Sequence, residues 1–355
     1  MPWLSHLVGI AIILIILLDI FLTVLYPRSG KNTPSLLLSK GIWELFRRLG
    51  RLPVSNSPNL LSYCGPTLLI VVIVFWVCSL AVGFALLLWP ALGQGIQASQ
   101  GDTPTDFATA LYYSGFTLTT LGVGDLVPKS GIWRVVTVLE AGIGFSIITA
   151  TITYLLSVYS ALNRRNTFAL SLYHRSGHHA DAVELLLGLR GYGQFELATQ
   201  EITDITRDLL FLLESHHAYP VLHYFRFREA RYSMAQMALI SLDLATLIKS
   251  ALNPHLYQPL INSSAVTELE RGGLDLLSQM ANSFLNEAAL DQPLDRQYWR
   301  ERYVKSVARL HEQDIVTVAD VEAGADRYVA LRQQWEPMVL ALARYMDYCW
   351  EEISP

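Results

Sequence analysis

Long runs of apolar residues dominate the first half of the chain. They extend over Leu7–Tyr26, Thr67–Trp89 and Ile132–Tyr159, and charged residues are almost absent from them. A helix of about 20 apolar residues is long enough to cross the hydrocarbon core of a bilayer. The pattern therefore predicts three membrane-spanning helices. We expect the first to be retained, because no basic residue precedes it and no small-residue cleavage site follows it.

A shorter helical pattern lies between the second and third apolar runs. Thr103 is a suitable capping residue, and Pro104 is favoured in the first turn of a helix. We predict a helix from Pro104 to Thr119, preceded by a loop that extends to about Gly101. A helix of this length cannot cross a bilayer, so it must be re-entrant and buried in protein.

The chain from Asn163 onward reads as soluble and helical. Apolar residues recur at helical spacing over residues 182–189, 195–213, 234–252, 265–285 and 328–350. The run Met234–Leu252 is apolar enough to suggest a fourth span, but Asp243 and several hydroxyl residues favour a buried helix of a bundle. No glycine-rich nucleotide-binding motif follows a strand-like run in the sequence.

Together these elements predict an all-α membrane protein with three transmembrane helices, a re-entrant helix and an all-α cytoplasmic C-terminal domain. The predicted parts are an N-terminal transmembrane helix, a basic cytoplasmic loop with an interfacial helix, a module of two spans with the re-entrant helix, and a helical cytoplasmic domain. Their bounds are residues 1–26, 27–66, 67–162 and 163–355.

Charge sets the expected orientation. The loop that follows Tyr26 holds six basic residues against Glu44 alone, namely Arg28, Lys31, Lys40, Arg47, Arg48 and Arg51. Short loops this basic remain in the cytoplasm. We therefore expect a multi-pass protein of the plasma (inner) membrane with its N-terminus outside and its C-terminus in the cytoplasm. The helix predicted within the loop either lies on an anionic membrane surface or packs on the tail.

Composition limits the classes of binding partner that we expect. Hydrophobic residues make up 52% of the chain, its net charge is -5, and the acidic excess lies beyond residue 160. An acidic soluble region is a poor partner for nucleic acid, so we expect membrane lipids and an unknown ligand or protein at the cytoplasmic domain. The sequence holds no arrangement typical of a nucleophile, a metal site or a phosphate cradle. We expect neither an enzyme nor a bound cofactor.

Two acidic residues fall within the apolar runs. A carboxylate at membrane depth costs about 2.5–3.5 kcal/mol on insertion scales, so Asp19 should face protein or water. It is either a proton- or ion-responsive group or a polar link to a neighbouring helix. Glu140 in the third span should bond to the re-entrant helix or to the backbone that follows it, with a pore-lining role as the alternative.

Glycines alternate with apolar residues in Thr119–Asp125, between the re-entrant helix and the third span. Gly122 and Gly124 can adopt left-handed backbone conformations that other residues adopt only at a cost. Alternating conformations can turn successive carbonyl groups toward one axis. Such a row of oxygens, with the Thr120 hydroxyl at its inner end, can replace the water shell of a dehydrated potassium ion.

The stretch Tyr112–Asp125 resembles the pore helix and selectivity filter of the bacterial two-helix type of pore-loop potassium channels, and the resemblance covers residues 67–159. It implies a homotetramer around K+ as permeant ion. The implied filter residues are Thr120, Leu121, Gly122, Val123 and Gly124. Asp125 would supply charge at the outer mouth, and Gly144 stands where the family has its gating glycine, with close helix packing as the alternative role.

The family usually has Tyr or Phe where this chain has Val123. Because that aromatic ring braces the filter, its absence leaves the strictness of potassium selectivity open. The predicted function is passive K+ conduction across the membrane, gated through the helical cytoplasmic domain. The alternatives are a weakly selective cation channel and a membrane-anchored helical sensor or scaffold whose pore module does not conduct.

Overall fold

The computed structural model describes residues 2–26, 33–50, 57–191, 195, 197–285, 290 and 295–354. The chain divides into two compact units, one of residues 1–160 and 217–225 and the other of residues 161–216 and 226–355. Three basic residues of the predicted loop, Arg28, Lys31 and Arg51, lie outside the described residues. The predicted division of the chain at residues 26, 66 and 162 remains a prediction.

The first unit consists of long apolar helices and one small sheet. Its helices are α1 Pro2–Ile20, continued by a π-helix Phe21–Leu25, then α2 Pro34–Gly50, α3 Ser57–Ser62, α4 Cys64–Leu88, α5 Phe107–Leu118 and the first part of α6 Gly131–Arg175. Its strands are β1 Ile96–Ala98 and β2 Leu126–Pro128, which pair antiparallel. The apolar runs of the sequence correspond to α1, α4 and α6.

Small residues bring α1 and α4 together. A Cβ atom added to Gly9 would lie 2.6 Å from the carbonyl oxygen of Gly83, and one added to Gly83 would lie 2.9 Å from Cγ1 of Ile13. In a membrane, where lipid is as apolar as a side chain, helices associate largely through such close packing. The two glycines therefore fix where α1 crosses α4.

The second unit is a helical bundle around one central helix. Its helices are the end of α6, α7 Ala182–Gly188, α8 Ala198–Ala218, α9 Met234–Ala251, α10 Gln258–Ile261, α11 Ser264–Phe284, α12 Arg296–Glu312, α13 Val321–Arg332, α14 Glu336–Tyr345 and α15 Trp350–Ile353. Among the described helices, four are long and apolar enough to cross a membrane: α1, α4, α6 and α9. Helix α9 differs from the others because 94% of its apolar 18-residue stretch is buried within the protein.

A buried ionic cluster joins α9 to α12, α13 and α14. The Arg332 side chain is fully buried and donates a hydrogen bond of 2.6 Å to Asp243 and another to Glu336. The indole of Trp299 donates to Glu336 over 2.8 Å, and its ring lies 3.3 Å from the Arg332 guanidinium carbon. Burial raises the pKa of Glu336, while the neighbouring Arg332 opposes that rise. The two carboxylates and the cation thus depend on each other.

Removing the cation should therefore destabilise the second unit. We expect Arg332→Met to lower the free energy of unfolding by about 3–5 kcal/mol, because it leaves Asp243 and Glu336 buried without their partner. Arg300→Met is the matched control, since Arg300 pairs with Glu322 and Asp326 at the surface, where ion pairs contribute little. Denaturant unfolding of the purified protein, followed by circular dichroism, measures both. Equal effects of the two substitutions would show that the cluster is not structurally dominant.

Candidate functional site

Helix α5 begins later than predicted. Its N-cap is Asp106, whose carboxylate accepts hydrogen bonds from the backbone amide of Thr109 at 3.0 Å and from the Thr109 hydroxyl at 2.9 Å. These bonds lower the pKa of Asp106. Thr103, the predicted cap, instead accepts a hydrogen bond from the amide of Ala98. The predicted start at Pro104 was therefore wrong, because the sequence offers two capping residues and the loop uses the first.

The carboxyl end of α5 holds the start of Thr119–Asp125, which we name the filter segment after the resemblance described above. The backbone amides of Leu121 and Gly122 donate to the carbonyl oxygen of Phe116 over 2.8 and 3.3 Å. The hydroxyl of Thr119 donates to the carbonyl oxygen of Gly115 over 2.7 Å. The chain thus folds back over the last turn of α5 before it runs on toward Asp125.

Backbone conformation alternates through this segment. The angle φ is positive at Thr120 (58°), Gly122 (61°) and Gly124 (82°), whereas Leu121 and Val123 are not among the residues with positive φ. Alternation of this kind turns the carbonyl groups of successive residues to the same side, which an ordinary strand cannot do. Thr120 is a β-branched residue in the left-handed region, and such strained conformations concentrate at functional sites.

Hydrogen bonds from α5 to α6 support the segment from behind. The hydroxyl of Ser114 donates to Oε1 of Glu140 over 2.6 Å, and both residues are fully buried. The hydroxyls of Tyr113 and Thr137 are hydrogen-bonded at 2.8 Å. These contacts place Glu140 against α5, and they fix α5 to the first turns of α6.

The outer end of the segment is held by the small sheet. Ser99 donates its backbone amide to the carbonyl of Asp125 over 2.7 Å, and Lys129 donates to the carbonyl of Gly95 over 2.8 Å. The Asp125 carboxylate accepts from the amide of Leu126 and interacts with the hydroxyl of Tyr112 in α5. The sequence predicted a loop before Gly101 and missed β1, because three residues are too few to show an alternating pattern.

Gly144 lies against the end of α5. A Cβ atom added there would be 1.8 Å from the carbonyl oxygen of Leu118, while one added to Gly142 would meet no atom of the chain within 4 Å. Glycine at 144 therefore permits the close approach of α6 to the residue that precedes the filter segment. Close packing thus accounts for this glycine, and a hinge at Gly144 remains a prediction.

Asp19 links three helices of the first unit. It is 1% exposed, and its carboxylate accepts hydrogen bonds from the indole of Trp76 at 2.7 Å and from the hydroxyl of Ser35 at 2.9 Å. Trp76 belongs to α4 and Ser35 to α2. This geometry is that of a polar link between helices, and a proton- or ion-responsive role remains a prediction.

Comparison with known proteins agrees with this geometry. Residues 71–161 match the family model described as ion channel. The chain is 27% identical over 277 residues to the uncharacterized membrane protein YdjJ of Bacillus subtilis, an alignment that covers 78% of each chain. It is 38% identical over 74 residues to TWiK family of potassium channels protein 9 of Caenorhabditis elegans, which is 21% of this chain and 13% of that protein. No solved structure matches the chain.

The resemblance to potassium channels is confirmed for the pore-type region. The chain is a membrane protein with an ion channel domain, and the matched residues include α5, the filter segment and the first part of α6. A domain of this kind points to ion transport rather than catalysis. Within the residues that the structure describes, no His, Cys, Asp and Glu side chains are grouped in threes to hold a metal ion.

A pair of glycine substitutions tests the packing of α6 on the filter. We expect Gly144→Ala to reduce ion flux in liposomes and to lower the thermal stability of the assembled protein, because its methyl group overlaps the Leu118 carbonyl. Gly142→Ala is the control, since it adds the same methyl group where the chain leaves space. If Gly144→Ala conducts and melts like Gly142→Ala, the close approach of α6 does not support the filter.

Proposed function

We propose that this protein is a homotetrameric channel that conducts K+ passively across the plasma membrane. The observation that carries the proposal is the alternation of positive φ at Thr120, Gly122 and Gly124. Five consecutive residues can then direct their carbonyl oxygens to one axis, as dehydration of K+ requires. A scaffold with no conducting role has no need of a strained Thr120.

The exposed surfaces of the single chain support assembly. Leu121 and Val123 in the filter segment are 72% and 50% exposed, and Val138 and Phe145 on α6 are 71% and 66% exposed. One filter segment supplies only one side of an ion pathway, so a closed ring needs several chains. By analogy with the family, we propose that four chains surround one axis.

A line of hydroxyl groups on α6 supports an aqueous path below the filter. Ser146, Thr149, Thr153 and Ser157 recur at helical spacing, and each hydroxyl donates to the carbonyl oxygen four residues earlier. The first three residues are exposed on the single chain. Hydroxyls that face a lipid chain gain nothing there, whereas those that face water keep further hydrogen bonds. We assign this side of α6 to the central cavity.

Charge at the outer mouth favours cations. Asp102, Asp106 and Asp125 lie near the outer ends of α5 and the filter, against Lys129 and Arg134. The hydrogen bonds that lower the pKa of Asp106 keep its carboxylate ionised. A surplus of negative charge raises the local concentration of cations. At the inner side, the carboxyl end of α5 carries a partial negative charge from the helix dipole.

We propose that α1, α4 and α6 are the three membrane spans and that α5 is the re-entrant helix. The basic residues Lys40, Arg47 and Arg48 on α2 then place that helix and the C-terminal domain in the cytoplasm, with the N-terminus outside. We do not count α9 as a fourth span, because 94% of its most apolar stretch is buried within the protein.

The second candidate is a weakly selective cation channel, and the observation that favours it is Val123. A valine cannot provide the bracing that the family's aromatic ring gives the filter. Because a filter that is less firmly held accommodates ions of different radius, sodium would then pass more readily.

A segment of the C-terminal chain supports gating through the tail. Residues 217–225 belong to the first unit, and we name them the strap. The Phe225 ring lies 6.1 Å from that of Tyr159 in α6 and occupies the space beside Gly65, where an added Cβ would be 2.7 Å from it. The ring of Tyr219 lies 6.0 Å from that of Tyr154. The strap thus contacts the inner ends of α4 and α6, and a movement of the tail would act on both.

Variants of the filter test conduction. A left-handed residue other than glycine costs about 1–2 kcal/mol, so we expect Gly122→Ala to reduce K+ flux in liposomes by about tenfold or more while membrane insertion is unchanged. Gly131→Ala is the control, because Gly131 has no positive φ and space for a Cβ. Val123→Tyr should lower the ratio of sodium flux to potassium flux. Undiminished flux through Gly122→Ala would show that this segment is not the pathway.

The strap makes a separate prediction about gating. We expect Phe225→Ala to change the ratio of open to closed channels about tenfold, since each ~1.4 kcal/mol of preference for one state has that effect, and to leave ion selectivity unchanged. Phe195→Ala is the control, because Phe195 lies outside the strap and its ring contacts that of Tyr257. Single-channel recording gives both quantities. An open probability in Phe225→Ala equal to that of the control would remove the strap from the gating mechanism.

A further inference from the structure

A cavity of about 310 Å³ with several charged and polar side chains in its lining lies within the second unit. Its walls come from the end of α6 and the turn after it, from the segment Glu229–Arg231, and from α15. Its volume is at the lower end of the range of small-molecule sites, about 300–1,000 Å³. Neither the ion channel model, which ends at residue 161, nor the filter accounts for it.

The side chain of Arg231 holds a buried N–H group without an acceptor. Its guanidinium carbon lies 4.9 Å from the ring centre of Tyr173 and 5.4 Å from that of Tyr232. Its Nε atom is buried and has no hydrogen-bond partner in the described part of the chain. A buried donor without an acceptor costs free energy. The planar, stacked guanidinium is held ready to bind a carboxylate or phosphate through two parallel hydrogen bonds.

Two carboxylates line the same cavity without neutralising that cation. Glu229 and Glu352 are exposed, and neither lies within ion-pair distance of Arg231. The backbone at Glu352 is held in place, because the buried side-chain amide of Gln236 donates to the carbonyls of Glu352 and Ile353 over 3.1 and 3.3 Å. Arg231 thus shares the cavity with two carboxylates and pairs with neither of them.

We propose that this cavity binds a small zwitterion of the free amino acid type, with its carboxylate on Arg231 and its ammonium group at Glu229 and Glu352. A simple anion would bond to Arg231 but face two negative charges, and a simple cation would meet Arg231. A ligand that carries both charges can pair with Arg231 and with the carboxylates. Repulsion between like charges disfavours simple anions and simple cations. The described residues around the cavity form no metal-binding group.

The position of the cavity gives such a ligand a role in gating. Tyr173 belongs to the last turns of α6, the helix whose first part carries Gly144 and the hydroxyl line. A ligand beside Tyr173 stabilises one conformation of that end of α6, and it shifts gating if that conformation differs between open and closed channels. The binding site stands by itself, and only this consequence for gating rests on the proposed function.

Binding is measured first, without reference to conduction. The purified full-length protein is titrated calorimetrically with each of the L-amino acids found in proteins. For the amino acid that binds most tightly, the same molecule without its amino group and the same molecule without its carboxylate serve as one-charge analogues. We expect at least one amino acid to bind, and each analogue to bind more weakly than its parent. An analogue that binds as tightly as its parent would overturn the zwitterion, and no heat with any amino acid would overturn the site.

Variants then place the ligand. We expect Arg231→Gln and Glu352→Gln each to weaken binding about tenfold or more, as loss of one charge-assisted hydrogen bond requires. Arg228→Gln is the matched control, because Arg228 is an exposed arginine three positions away that does not line the cavity. Glu352 is exposed, so its substitution keeps the test decisive if Arg231→Gln fails to fold. Unchanged affinity in Glu352→Gln would overturn the assignment.

Flux with and without the bound amino acid separates the two proposals. A ligand that binds and changes K+ flux supports both. Binding in a protein that passes no ion contradicts the channel and leaves the cavity assigned. Flux without any amino acid binding contradicts the cavity and leaves the channel.

Discussion

In the proposed channel, the filter segment depends on carbonyl oxygens that stay free to bind an ion. Away from water, a backbone carbonyl without a partner is costly, and a chain normally removes that cost by forming a helix or a sheet. The residues Thr120–Gly124 do neither. The surrounding structure must therefore hold them, through the Phe116 carbonyl at one end, the strand β2 at the other and Gly144 behind.

Other contacts of the first unit hold its long helices together. In lipid, the hydrophobic effect does not drive one helix onto another, so close packing and buried hydrogen bonds determine the arrangement. Gly9 against Gly83 provides the first, and the bonds of Asp19 to Trp76 and Ser35 provide the second. The carboxylate of Glu140 joins α6 to α5 in the same way. Each acidic residue within the apolar runs is thus a link between helices.

Sequence patterns predicted the long helices and the backbone conformation of the two alternating glycines because their signals are local. Apolar length gave α1, α4 and α6, and the alternating glycines gave the backbone conformation at Gly122 and Gly124. Helix boundaries and contacts that depend on residues distant in the sequence were not predicted. The helix predicted at 328–350 is divided among α13, α14 and α15, and α12 was missed because its surface is strongly charged. Nor could any pattern indicate that residues 217–225 join the first unit.

Selectivity is the central claim, and the reversal potential of the reconstituted wild-type protein tests it most directly. Potassium is placed on one side of a planar bilayer and sodium at equal concentration on the other. A filter of carbonyl oxygens should then give a large reversal potential, negative on the potassium side, because potassium permeates far better than sodium. A potential near zero would contradict a potassium filter and favour the weakly selective channel. The absence of any current in protein that remains folded and assembled would contradict conduction itself.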